Sequence, residues 1–364
     1  MRVLVLVTAI LASAVTLPVS DDYAASRTVC PSFMINCECT TTTTGVLVSC
    51  KNFRDRSQLV STMHDLKGYN LHQFTMMHSN LDIKNGDFDE VKLFNMDVES
   101  SNFTARDSFP TGNESNLRVL KFQNSDLDFG HSVAVKGTKL STLWFNRCRF
   151  HRDPTGWFEG LWVQWLRIEN CAEMNDFIAA NLGGLEKYSH IGSNLASLDR
   201  DMLPENSESI TELDFSSNMI SAISDDFLEG LTNLQRLDLS NNRLETLNEA
   251  IFKNFGNRSQ LILSNNPLKC SPNLLWLARR LIDGSLLQAH RYVCINEDGS
   301  RQSIRSLASS TQSSFLDVEE MIEMFPKPEM LGETFMGIRN TENEDSSRLD
   351  IPRNVRILFE DPIL

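Results

Sequence analysis

ITELDFSSNMI (residues 210–220) and LQRLDLSNNRL (residues 234–244) start 24 residues apart and share one pattern. Apolar residues stand at positions one, four, six and eleven, and Asn at nine. The alternation of Leu213 with Phe215, and of Leu237 with Leu239, sends both side chains of each pair to one face of a short strand. The residue between them faces the other way. Such a strand has an inside and an outside.

Sliding the frame forward by the same interval lands on Leu261-Leu263-Asn266-Leu268, where only Arg258 breaks the pattern. Carried backwards it gives Leu185-Tyr188-His190-Ser193-Leu195, Val163-Leu166-Ile168-Cys171, Leu140-Leu143-Phe145-Cys148-Phe150 and Leu117-Leu120-Phe122-Ser125-Leu127. Two poorer copies precede these: Leu71-Phe74-Met76-Ser79-Leu81, and Phe88-Val91-Leu93-Met96-Val98 at irregular separations. The count is seven to nine. This spacing resembles the leucine-rich repeat.

One such unit cannot bury its apolar face alone, so neighbours stack into a solenoid. The expected fold class is α/β, a leucine-rich repeat solenoid with a curved, parallel concave sheet, disulfide caps at both ends and a disordered C-terminal tail. Position nine wants a small polar side chain that bonds to the backbone where the chain leaves the strand. Asn suits it best, and Ser and Cys are weaker substitutes.

Met1-Arg2, the apolar run Val3 to Leu17 and a polar Ser20-Asp21-Asp22 have the form of a secretory signal, too short to span a bilayer. The expected domains are a signal peptide at 1–20, a cysteine-rich N-terminal cap at 21–69, repeats at 70–268, a C-terminal cap at 269–300 and an acidic, mostly disordered tail at 301–364. A short helix from Phe315 to Phe325 interrupts that tail. The expected location is secreted and extracellular. Asn102-Phe103-Thr104, Asn113-Glu114-Ser115 and Asn257-Arg258-Ser259 are then N-glycosylation sequons, the first two in an apparent insertion after the second repeat. The formal net charge of −14 argues against general nucleic-acid binding.

Eight cysteines suit an oxidising compartment. Cys30, Cys37, Cys39 and Cys50 precede the repeats, and Cys270 and Cys294 follow them, at the two ends where an open solenoid exposes its core. A zinc reading of the first cluster lacks paired C-x2-C knuckles and a nearby His. Cys148 and Cys171 both occupy position nine, one period apart. They read as buried thiols standing in for ladder asparagines, with a disulfide between adjacent strands as the alternative.

No nucleophile with its base, phosphate loop or metal cluster appears at a recognised spacing, so no catalytic residue, cofactor or metal is expected. A hydrolase site assembled only by the fold is the alternative from another class. What remains is a surface made by the outward positions. The fifth position in turn reads Thr75, Lys92, Lys121, Trp144, Arg167, Ser189, Asp214, Asp238 and Ile262. Near its middle, neighbouring outward positions add Arg147, Trp165, Glu169 and Lys187. Trp and Arg supply large contact area and forked donors, so Lys121, Trp144, Arg147, Trp165, Arg167 and Lys187 form the candidate ligand patch. Cross-strand packing of Trp under Arg is the competing reading. Asp214 and Asp238 read as solvated filler.

Cys30-Pro31, Cys37-Glu38-Cys39 and Val46-Leu47-Val48-Ser49-Cys50, with degenerate early repeats, resemble small secreted arthropod leucine-rich repeat proteins. That family includes the non-catalytic subunit of oplophorus-luciferin 2-monooxygenase. The resemblance implies disulfides Cys30–Cys39 and Cys37–Cys50. At the other end it implies Cys270–Cys294, with Pro272 where a further cap cysteine is usual. It also implies a non-enzymatic protein that partners or stabilises another secreted protein; luminescence does not follow. An immune or matrix recognition protein binding a pathogen product, glycan or receptor through the same face is the second reading.

Overall fold

The computed structural model describes residues 29–32, 34–84, 86–105, 116–130, 138–152, 160–172, 179–253, 255–256, 259–287 and 291–315. These belong to a compact unit that ends at Phe315. The signal segment, Asn113, Asn257, the tail beyond Phe315 and all but the first residue of the expected Phe315–Phe325 helix lie outside the described residues.

The first two strands, β1 (Cys37–Thr41) and β2 (Val46–Lys51), form an antiparallel hairpin. From β2 onward the sheet is parallel. It runs through β3 (Asn70–Met77), β4 (Asn95–Glu99), β5 (Val119–Gln123), β6 (Lys139–Asn146), β7 (Trp162–Glu169) and β8 (Lys187–Ile191). It ends with β9 (Glu212–Asp214), β10 (Arg236–Asp238), β11 (Ser259–Ile262) and β12 (Leu286–Leu287). Lys92–Leu93 adds a thirteenth strand beside β3. This is a leucine-rich repeat solenoid.

The fourth and sixth positions of every repeat strand from Phe74 and Met76 to Leu261 and Leu263 are at most 3 % exposed. The core is therefore the inner face of this sheet. Behind it, four short parallel strands, Asn80–Asp82, Asn102–Ala105, Asp126–Phe129 and Arg149–Phe150, close the second layer in the early repeats. Aromatic rings fill the space between the layers. Phe122 stacks on Phe145 at 5.5 Å and meets Phe103 and Phe129 edge-on.

One interior site departs from this apolar pattern. Tyr188 and His190, at the fourth and sixth positions of β8, are both fully buried. The Tyr188 hydroxyl lies 3.1 Å from His190 Nδ1, and His190 Nε2 has no hydrogen-bond partner among the described residues.

The turn that leaves each strand explains position nine. The preceding residue takes the left-handed conformation in nine successive repeats, from His78 (φ 49°) to Asn265 (φ 59°). Asn, which tolerates that region, fills it four times as Asn124, Asn170, Asn241 and Asn265. The position-nine side chain then accepts from the amide of the repeat before it. Ser79 serves Phe53 N (3.1 Å), Ser101 serves Ser79 N (3.0 Å) and Ser125 serves Ser101 N (3.2 Å). Further on, Asn218, Asn242 and Asn266 serve Ser193 N, Ile220 N and Leu244 N at 2.8 to 3.0 Å.

This ladder corrects the second repeat. Its strand pairs Met96 with Phe74 and Val98 with Met76, and Ser101 is its ninth residue. The repeat is Leu93-Met96-Val98-Ser101-Phe103, five residues later than the frame from Phe88. Both frames matched because Leu93, Met96 and Val98 are apolar in either, but only Ser101 can bond to the turn. First positions Leu71, Leu93, Leu117, Leu140, Val163, Leu185, Ile210 and Leu234 now follow at 22 to 25 residues. Asp97 replaces Lys92 in the outward fifth column. The supposed insertion dissolves, and Asn102 stands exposed at the start of its rear strand.

Disulfides Cys30–Cys39 and Cys37–Cys50 hold the first hairpin, and Cys270–Cys294 ties the far end. There Trp276, on the helix Leu275–Ile282, stacks on Phe252 at 4.9 Å and closes the core. The cap does not stop at residue 300. Arg301–Ser303 pairs antiparallel with Val293–Ile295, and Ile304, opening the helix Ile304–Phe315, is fully buried. Residues 301–315 thus belong to folded structure, because Ile304 supplies core that the cap would otherwise leave open.

Candidate functional site

The outward residues of β4 to β10 form a connected row across the sheet. Parallel register sets Trp144 between Lys121 and Arg167, and Trp165 beside Lys187. Lys121 Nζ lies 5.6 Å from the Trp144 ring centre and the Arg167 guanidinium 5.1 Å from it. The same guanidinium is 5.3 Å from the Trp165 ring, and Lys187 Nζ is 5.8 Å from it. The row thus alternates cation and indole, with Arg167 shared by two rings.

Each cation also has a carboxylate. Lys121 faces Asp97 (3.9 Å), Arg167 is held by Glu169, and Lys187 meets Glu212 (2.8 Å). Glu212 bridges on to Arg236 (3.2 Å), which meets Asp238 (2.8 Å). Asp97 in turn accepts from Gln73 Nε2 (2.8 Å). Burial pushes the Asp97 carboxyl above the usual range against the pull of Lys121, and burial raises Asp214 likewise. The row is pre-ordered by its own pairing. Among the described residues three of its polar atoms find no hydrogen-bond partner, Asp97 Oδ1, Trp144 Nε1 and Asn146 Oδ1. Asp214 and Asp238 are not plain filler: each accepts from a backbone amide of its own strand end, Ser216 N and Ser240 N.

The structure thus brings together five of the six expected patch residues. Arg147 is the exception. It occupies the left-handed turn (φ 54°), exposed at the strand's end, and makes no contact with either ring in the row.

Trp162 escaped the repeat template because it stands one residue before the first position. It is 47 % exposed, with Lys139 Nζ 5.2 Å from its ring. The indole lies on Gly183 and Gly184, and a Cβ on Gly184, where φ is +67°, would collide with ring atoms Cε2 and Nε1. Gly184→Ala is expected to cost about 2 kcal/mol, as overpacking added to backbone strain. Gly284→Ala, at φ +76° with nothing nearby, isolates the strain. In urea unfolding Gly184→Ala should fall below Gly284→Ala, and Trp162→Ala should close most of that gap; equal losses would show that the seat does not matter.

Cys148 and Cys171 are free and buried, as rungs of the ladder. Cys171 Sγ accepts from Cys148 N (3.3 Å), and Ser193 Oγ from Cys171 N (3.2 Å). Hydrogen bonding to the Cys171 sulfur, with burial second, pushes the Cys148 thiol well above the usual range. Among the described residues no group of three or more His, Cys, Asp or Glu is placed to hold a metal ion. No helix among them is long and apolar enough to cross a membrane.

A family model described as leucine rich repeat matches residues 208–268. Comparison with curated proteins gave no match. Among solved structures, the chain is similar to one in an octameric complex of Latrophilin 3, Unc5D and FLRT2. That pair shares 18 % identity over 78 % of this chain and 93 % of the other, with a TM-score of 0.48. It is similar to a chain of the Drosophila Toll–Spatzle complex at 15 % identity, covering 64 % of this chain and 48 % of the other, TM-score 0.33. An internalin from Listeria monocytogenes gives 15 % identity, 72 % and 83 % coverage, and a TM-score of 0.38. All three scores lie below 0.5, and the fold rests on this chain's own strand register.

Proposed function

We propose that the chain is a secreted, non-enzymatic binding module that holds a protein partner on its concave face, as a stabilising or non-catalytic subunit of a secreted complex. The single observation that carries this reading is the indole and cation row Lys121, Trp144, Arg167, Trp165 and Lys187. A surface already ordered by internal pairing loses little side-chain entropy on docking. Trp and Arg at its centre are the residue types that dominate binding energy. Disulfides at both ends support an extracellular setting, as does the form of residues 1–20. The cap motif favours the arthropod family that contains the luciferase-associated subunit, without specifying a luciferase partner.

The test is a pull-down from the source body fluid with the native chain and with Trp144→Ala/Arg167→Ala. One stoichiometric protein is expected, with affinity lowered about 30-fold or more in the double variant, the equivalent of about 2 kcal/mol. Retention of every partner by the variant refutes the concave site. A secreted chain should also carry an N-glycan on the exposed Asn102, on the rear layer away from the row. Asn102→Gln is expected to remove one glycosidase-sensitive mass step while leaving partner binding intact, read by mass spectrometry and the same pull-down.

A further inference from the structure

A second surface lies where the chain enters the sheet. In four successive repeats the residue before the first position is Lys92, Asn116, Lys139 and Trp162, and parallel register sets Lys139 beside Trp162. Arg118 stands two places along from Asn116, its carbonyl accepting from Ser141 N (2.7 Å) of the next repeat. Lys92, Arg118 and Lys139 are all exposed. None of the three has a carboxylate partner among the described residues, whereas Lys121, Arg167, Lys187 and Arg236 in the central row all do.

The row ends on Trp162, the most exposed indole described, fixed in place by Gly183–Gly184. Strands lie about 4.8 Å apart, so the three strand intervals from Lys92 to Trp162 span about 15 Å. In a chain of net charge −14, three consecutive repeats thus each present an exposed cation with no carboxylate partner among the described residues. Unpaired surface cations attract anions with no internal ion pair to break. An indole at the end of the row suits the C–H face of a sugar ring better than a peptide carboxylate.

We propose that Lys92, Arg118, Lys139 and Trp162 form a docking strip for a sulfated polysaccharide, separate from the concave protein-binding row. Sulfates meet the three cations, and a sugar ring packs against Trp162. The occupant is linear because the strip is linear. It is sulfated because three cations from successive repeats call for anionic groups repeated along one chain, which a single small anion does not supply.

Binding of a heparin-derived oligosaccharide to the full chain is measured by calorimetry from low to physiological salt. Affinity should fall as salt screens the contacts. Lys92→Ser/Arg118→Ser/Lys139→Ser should weaken it about tenfold or more. Trp162→Ala should weaken it less, and Lys92→Arg/Lys139→Arg, which keeps the charge, should bind as the native chain does. Trp165→Ala/Lys187→Ala, in the concave row, should leave it unchanged while the protein partner is lost, so the two surfaces fail independently. Absence of binding by the native chain, or undiminished binding by the triple variant, overturns the proposal. So does equal binding of the desulfated oligosaccharide, of polyglutamate or of a single-stranded oligonucleotide.

Discussion

At pH 4 the native chain should be about 3 kcal/mol less stable than at pH 7 through one side chain, His190. Burial pushes its pKa down to about 3 from an ordinary 6.5. The unfolded chain takes up the proton near pH 6.5, while the folded chain resists until about pH 3. Between those values the unfolded state binds more protons, so stability rises with pH and acid removes it, by about 1.4 kcal/mol per unit. The cause is structural. His190 is fully buried in a column filled elsewhere by Phe122, Phe145, Ile168 and Phe215, and among the described residues only the Tyr188 hydroxyl hydrogen-bonds with its ring. Asp97 and Asp214, raised by burial, run the other way, losing stability as pH rises through their range. Comparison with His190→Phe cancels them. Urea midpoints should fall steeply for the native chain from pH 6.5 to 4, and more gently for the variant; parallel slopes would show that His190 does not titrate as its burial requires.

Asn218→Leu should be the most damaging single change in the ladder, costing about 4 kcal/mol. Its Oδ1 accepts from Ser193 N (2.8 Å) and Leu195 N (3.2 Å). Its Nδ2 donates to the carbonyls of His190 (2.6 Å), Phe215 (3.1 Å) and Ser216 (3.3 Å). Leu leaves two buried amides unpaired, and each orphaned buried group costs about 1–3 kcal/mol. Asn218→Ser should cost less, because Ser79, Ser101 and Ser125 occupy the same place in this chain and still accept from the preceding amide. In a solenoid, stability is a sum of repeats and their interfaces, so the damage should be local. Hydrogen exchange should show loss of protection centred on residues 190–220, larger for Leu than for Ser. Equal loss for both variants would contradict the rung-by-rung reading of the ladder.

Where the repeat was legible in sequence, two independent signals coincided: apolar alternation and a polar ninth residue. Ile210–Leu244 had both, and its strands fall where the alternation puts them. The second repeat had an apolar run long enough to fit two frames, and only cross-strand contacts separate them: the pairing of Met96 with Phe74 and the hydrogen bond from Ser79 N to Ser101 Oγ. That error of frame carried Lys92 into the concave column and displaced Asp97, the carboxylate that Lys121 faces. The outward alternation of Trp144 and Arg167 was visible as spacing. Their stacking was not, because it depends on cross-strand register. Arg147 looked like a neighbour in sequence, yet the left-handed turn takes it out of the row. Trp162 was invisible to the template because its seat is made by glycines one repeat later. The order in residues 301–315 depends on Ile304 reaching core that composition alone does not reveal.

The concave face is tested most directly by placing a photo-crosslinking amino acid at position 123 or 142, outward positions that neighbour the row without belonging to it, and at position 126 on the rear layer. After irradiation in the native fluid, both concave positions should yield the same covalent partner, and the rear position none. Capture of that partner from position 126, with silence from 123 and 142, would contradict the assignment of binding to the concave row.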